Sequence, residues 1–326
     1  MRPVATLALA YMLVTLPAAA EVTTVNISHH PGIGYVTGPV MSHEKLVEKQ
    51  AEKLGLGRVA ATYRISGGAT QSMELVISGS VDFALAGLTP VIIAWAKTKG
   101  EILGVAGANT ADLVLVTNQD RIKSIKDFTP SDRIAVPAIK TSMQAVALSM
   151  LAERELGDPK KLDPITVAVQ HPEAVAAILS RRSEITAHFA SPPFFAQELK
   201  EKGVHQITSL EEIIGSPASI AVAIARVKFR RNNPKVFQAV FNAIAEANDF
   251  ITQNPRRAAE IYVTTAKSKV PVEEIERQIS KENVYTLTPT GVMKFADFMH
   301  RTGLIAQRPG SWKEVFFDTV HHFPGN

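Results

Sequence analysis

From about residue 22 to residue 225, segments with the two-residue period of a strand alternate with segments of helical period, and that alternation leaves few folds open. It points to parallel sheets wrapped by helices. Residues 22–27, 60–65, 81–86 and 102–106 read as strands, and residues 40–54, 69–78 and 90–99 as helices. Gly79 stands where a left-handed residue ends a helix, and Pro90 where a first helical residue tolerates proline. A second run follows the apolar stretch 113–116: strands at 134–136, 165–169 and 185–189, helices at 142–156, 172–180 and 194–200. Ser124-Ile125-Lys126-Asp127 and Ser209-Leu210-Glu211-Glu212 carry the spacing of a capping box. Beyond the run 220–225 everything reads as helix, with one apolar stripe at Phe237, Val240, Phe241, Ile244 and Ala247 and another at Val292, Phe295, Ala296 and Met299.

Two α/β blocks and a helical tail suggest a lobe interrupted by an inserted lobe. A chain of 326 residues exceeds one comfortable core and favours two domains. The expected division is a first lobe built from residues 21–111 and 219–326 and a second from 112–218, with crossovers near 111–118 and 217–226. These are the places where the chain can pass between sheets. Such a body is suited to closing on a ligand by hinge motion.

The N-terminus carries an address. Arg2 gives a positive start, residues 4–16 an apolar stretch too short to span a bilayer, and Pro17-Ala18-Ala19-Ala20 a small-residue cleavage pattern. Residues 1–20 are therefore expected to be a signal peptide, with the mature chain starting near Glu21 in the periplasm. The sequence has no cysteine, so a lipid anchor at the cleavage point is excluded, and any core must hold without disulfides. A periplasm lacks ATP and nicotinamide pools, which disfavours the common tasks of α/β domains.

Motifs for chemistry are sparse. Gly32-Ile33-Gly34 with Gly38 imitates a dinucleotide fingerprint, but the last glycine is one residue late. Neither a P-loop nor a G-x-S-x-G elbow occurs, and Ser42-His43-Glu44-Lys45 lacks the partners that S-x-x-K needs. His29-His30 and His321-His322 lack the i, i+4 spacing of a helical metal pair, so neither a metal nor a cofactor is expected. Lysine and arginine number 35 against 31 acidic residues and are scattered, which disfavours a nucleic-acid partner. What remains is a set of small-polar loops, 29–34, 66–70, 87–89, 140–142 and 188–191. Each lies between the carboxyl end of an expected strand and the amino end of a helix, where open sheets bind ligands and helix dipoles favour anions.

Several of these segments carry a family likeness. Ser66-Gly67-Gly68, residues 78–84 (SGSVDFA), 124–128 (SIKDF) and 132–137 (DRIAVP) resemble the substrate-binding proteins of nitrate/sulfonate/taurine-type ABC importers. Residues 184–194 (EITAHFASPPF) and 292–299 (VMKFADFM) are similar to one subgroup of them. The resemblance covers nearly the whole mature chain. It implies a two-lobed, class II periplasmic-binding-protein-like α/β fold with two crossover strands and a helical C-terminal tail. It also implies capture of a small anionic nutrient and delivery to an ABC permease and its ATPase by a monomer that is not an enzyme. Carried over as ligand contacts are Ser66, Gly67, Thr89, Thr141, Ser142, His188 and Ser191; His30 and Lys140 join them on position and chemistry. A relative of this fold that makes the thiamine pyrimidine uses a cysteine-rich loop, which this chain lacks. A TRAP-type receptor shares the Ser-Gly-Gly loop and the fold and remains the alternative, followed by an extracytoplasmic enzyme.

Overall fold

The computed structural model describes residues 20–67 and 69–326, so the expected signal peptide lies, save its last residue, outside the described residues. The chain forms two sheets. In the first, β1 (Thr24–His29), β2 (Ala60–Ile65) and β3 (Phe83–Ala86) run parallel, while β4 (Ile102–Ala111) pairs antiparallel with the later strand Ser219–Arg226. The second contains β5 (Val114–Thr117), β6 (Ile134–Val136), β7 (Thr166–Ala168), β8 (Ala187–Ala190) and β9 (His205–Ser209) in the order β7-β6-β8-β5-β9. With β10 (Ser219–Arg226) and β11 (Asn283–Val284), the first sheet reads β11-β4-β10-β3-β1-β2.

Only Asp112 and Leu113 separate β4 from β5, and the chain returns from β9 to β10 through a short helix, Leu210–Ile214. The Asp112 carboxylate ties the two passages together. Its Oδ1 accepts the N–H groups of Leu113 and Glu211, each at 2.9 Å, and so caps the short helix of the returning strand. Leu210 N–H donates to the Leu113 carbonyl at 2.7 Å beside it.

Helices cover the sheets: α1 (Thr37–His43), α2 (Leu46–Lys53), α3 (Ala69–Ser78), α4 (Leu88–Thr98), α5 (Met143–Leu156), α6 (His171–Ser180) and α7 (Phe194–Glu198). The expected single helix over 40–54 is two, because Lys45 adopts a left-handed φ of 51° that breaks the ladder and redirects the second piece. The two pieces bury Val40, Leu46, Val47 and Ala51 in one apolar cluster with β1 and β3. In the C-terminal part, Pro234–Gln253 buries Val236, Phe237, Val240, Ile244, Ala247 and Ile251 as one stripe. The Glu21 carboxylate accepts from Lys235 and Val236 N–H at 3.0 and 2.7 Å and so satisfies two of that helix's orphan donors. Phe83 of the central β3 sits edge-on to Phe229 at 5.2 Å and tilted against Phe237 at 5.8 Å, locking tail to sheet.

Two strands escaped the sequence pattern. β9 reads as loop because an edge strand alternates weakly, with His205 and Ile207 half-buried and Gln206 exposed. β11 is two residues within the segment expected to be wholly helical, and it exists only by pairing with β4.

Candidate functional site

A cleft of about 70 Å³ opens between the two sheets. From the first side it is lined by His30 and Pro31 after β1, by Gly34 and Tyr35, by Gly87 and Pro90 at the start of α4, and by Ile220 of β10. From the other side come Leu113 and Pro137, then Ser142, Met143 and Gln144 at the start of α5. Gln170, His171 and Pro172 at the start of α6 follow, with Ser191 and Pro192 after β8. Three helices of ten residues or more thus begin at the cleft and turn the positive dipole end toward it, with Pro90 and Pro172 contributing no N–H of their own. Among the described lining residues there is no Lys, Arg, Asp or Glu.

Of the residues expected at the site, His30, Ser142 and Ser191 line the cleft. Ser142 is the N-cap of α5: its hydroxyl donates to the Ala138 carbonyl at 2.7 Å and accepts from Ala145 N–H at 3.2 Å. Ser66 lies one shell back. Its hydroxyl is 2.6 Å from that of Ser72, which is 3.1 Å from His30 Nε2, so Ser66 reaches the cleft only through His30. Gly67 is exposed and donates its N–H to Gln71. Thr89 is fully buried and donates to the Thr141 carbonyl at 2.8 Å, joining the start of α4 to the loop before α5. Thr141 offers the cleft no side-chain contact, and its hydroxyl is buried without a partner. Lys140 is exposed on the far side of that loop, in a second small cavity beside Leu162. His188 is wholly buried behind the cleft wall.

His171 is a cleft-lining side chain that the sequence reading passed over. The strand-end rule that singled out the other loops applies equally to Gln170-His171 after β7, with Pro172 opening the helix. Its ring stacks on Phe194 at 5.0 Å, and its Nδ1 lies 2.7 Å from His188 Nε2. His188 Nδ1 in turn lies 2.7 Å from Glu198 Oε1. Burial dominates the electrostatics of this row. It holds His188 down at about 3, pushes Glu198 up to about 9, and holds His171 well below the usual imidazole range, where the nearby histidines add to the shift. His30 is likewise held at about 4, by burial first and by His29 second. Near neutral pH the cleft therefore carries uncharged imidazoles, and the positive character of its wall is that of the helix amino termini. Among the described residues no three His, Asp or Glu side chains converge as a metal-binding group, and no helix is long and apolar enough to cross a membrane.

Two sheets joined by paired crossovers, flanked by helices, with a cleft at the strand ends, are the periplasmic-binding-protein fold. The alkanesulfonate-binding protein SsuA from Xanthomonas axonopodis pv. citri superposes with a TM-score of 0.71 over 89% of this chain and 96% of that one, at 16% identity. The periplasmic nitrate-binding protein NrtA from Synechocystis PCC 6803 gives 0.69 over 90% and 84%, at 14% identity. The chain belongs to the NMT1-like family, whose model matches residues 18–265. It is also 23% identical over 296 residues, 88% of this chain and 85% of the relative, to a candidate binding protein of Brucella abortus.

Proposed function

We propose that this protein is an extracytoplasmic solute-binding protein that captures a small anion of the sulfonate, taurine or nitrate class in the cleft and delivers it to an ABC importer. The observation that carries the reading is the convergence of the α4, α5 and α6 amino termini on one small cleft that also holds Ser142, Ser191 and two neutral histidines. Oriented N–H groups bind an oxyanion without a counter-cation and release it readily, as a carrier requires. The lobes that close are 21–111 with 219–326, and 112–218, hinged where Asp112 ties the two passages. The protein acts as a monomer in the periplasm after loss of residues 1–20, and its partners are a permease and its ATPase. The family match and the neighbours of the same fold support binding over catalysis.

A thermal-shift panel of nitrate, taurine, alkanesulfonates, carboxylates and heteroaromatic nutrients tests this. A ligand at a hundredfold excess over its Kd stabilises the folded state by about 2.7 kcal/mol. Stabilisation by one anion class, with no product formed, is the expected result. Silence across all anions with a response to a neutral compound would overturn the anion assignment, and turnover would overturn the carrier. Genes for an ATPase and permease beside this one indicate ABC import; a TRAP membrane pair indicates the secondary transporter instead.

A further inference from the structure

Behind the cleft wall three polar side chains form a continuous row with one end open to ligand. Glu198 on α7 and His188 on β8 are both fully buried, and His171 at the first turn of α6 reaches the cleft. Among the described residues Glu198 Oε2 has no partner, and no Lys or Arg reaches the carboxyl. An ionised carboxylate there would be an unpaired buried charge, a costly state, so geometry alone favours the protonated acid. Once Glu198 is an acid, the row has a single polarity. The carboxyl donates from Oε1 to His188 Nδ1, His188 donates from Nε2–H to His171 Nδ1, and His171 is left with its remaining proton on Nε2. The Gln144 amide lies 3.4 Å from that nitrogen and can turn either its oxygen or its NH₂ group toward it.

We infer that Glu198 and His188 are positioning residues that fix His171 as an N–H donor into the cleft, which makes His171 the side chain that selects a ligand presenting a hydrogen-bond acceptor, an oxyanion first of all. The inference rests on the solute-binding reading for the ligand, but the polarity of the row does not. Loss of one proton reverses it with all atoms accounted for. The Nε2 proton of His171 leaves to a base in solvent, the His188 Nε2 proton crosses to His171 Nδ1, and the Glu198 proton crosses to His188 Nδ1. A carboxylate remains at the buried end and a lone pair faces the cleft.

The surroundings leave this row in control of its own charge. β5 and β6 contribute no titratable side chain to it. Glu173 on α6 is exposed, and Lys200, just beyond α7, is exposed and paired with Glu274 at 3.3 Å. His30 across the cleft is held neutral. The Glu198 carboxyl is pushed up to about 9, so the reversal belongs in the alkaline range.

Two-bond proton–nitrogen correlation spectra of histidine-labelled, ligand-free protein read the tautomers directly, with His171 assigned from the peak lost in His171→Gln. At about pH 7 both His171 and His188 are expected as neutral Nε2–H tautomers, and both should convert together to Nδ1–H near pH 9. In Glu198→Gln, whose amide can only donate to or accept from His188 without ionising, both should keep one tautomer throughout. An Nδ1–H tautomer of His171 at neutral pH, separate transitions for the two rings, or either ring charging near 6.5 would overturn the inference. If Glu198→Gln does not fold, the wild-type titration decides alone. Because no ligand is present, failure here leaves the solute-binding reading standing, and an empty ligand screen leaves the relay standing.

Discussion

A buried acid at the end of a row of two imidazoles sets opposite pH limits on stability. Glu198 ionises near 4.3 when unfolded but only near 9 when folded, so its contribution is full below about 4 and is lost as pH rises toward 9. His188 and His171 work the other way. Unfolded, they take protons below about 6.5 that the folded state refuses, so stability falls as pH drops from there toward the His188 value of about 3. Glu198→Gln removes the alkaline limb alone. Urea unfolding should show the variant more stable than wild type at pH 8, on the order of 2 kcal/mol, with the difference shrinking toward pH 5. An equal difference at both pH values would mean that Glu198 is not the titrating group. Ser142 carries a separate expectation: with its hydroxyl engaged as the α5 cap, Ser142→Ala should cost about 1 kcal/mol of stability in the absence of any ligand. That His30, Ser142 and Ser191 could line a cleft was legible because strand-end position and hydroxyl or imidazole chemistry are local properties. The place of Glu198 was not, because a carboxyl behind two aromatic residues in a short helix looks in sequence like an ordinary exposed helix end.

At the scale of elements, side-chain period told helix from strand wherever an element packs one face on a core. Of the stripe at Phe237, Val240, Phe241, Ile244 and Ala247, all but the half-buried Phe241 became one buried face. It failed where pairing alone defines the element, at β9 and β11, and where one residue's left-handed backbone divides a helix, at Lys45. Docking of the C-terminal segment depends on a close approach of the same hidden kind. Phe317 N–H donates to the Gly104 carbonyl at 2.8 Å, and the Phe316 ring lies 2.4 Å from where a β-carbon on Gly104 would stand. Gly104→Ala should therefore displace that ring and destabilise by about 1–3 kcal/mol, with the loss seen as faster proteolysis of the C-terminal segment. Unchanged stability and protection would show that the ring can move aside freely.

For the molecule as a whole, the two passages between sheets are the hinge of the proposed closure, and Asp112 joins them through two backbone donors. Asp112→Ala leaves Glu211 N–H uncapped, so we expect a stability loss of about 1–2 kcal/mol and greater hydrogen exchange confined to residues 110–114 and 209–212. Exchange spread evenly over both sheets would instead mark global loosening. Polar contacts between the two parts include the exposed pairs of Lys200 with Glu274 and Arg301 with Glu153 and the buried Thr89–Thr141 bond, beside apolar packing of α4 on α5. Exposed pairs of this kind contribute little, so breaking them adds little to the cost of opening, and a ligand that binds the closed form better shifts the balance. Small-angle scattering should then show compaction when a tight ligand is added, and identical curves with and without it would argue against closure.

By itself the sequence determined the α/β class, the alternation of strands and helices, and the strand-end loops from which a cleft could be built. All three follow from periodicity and from the chemistry of helix starts, which need only neighbouring residues. Tertiary structure alone decided which loops meet. It set Lys140 outward on the far side of its loop and turned Ser66 and His188 inward. It brought Glu198, His188 and His171, from a helix, a strand and a second helix, to 2.7 Å contacts. Burial there shifts proton affinities, and no reading of spacing along the chain can supply it, because it is a property of what the folded chain places around each group.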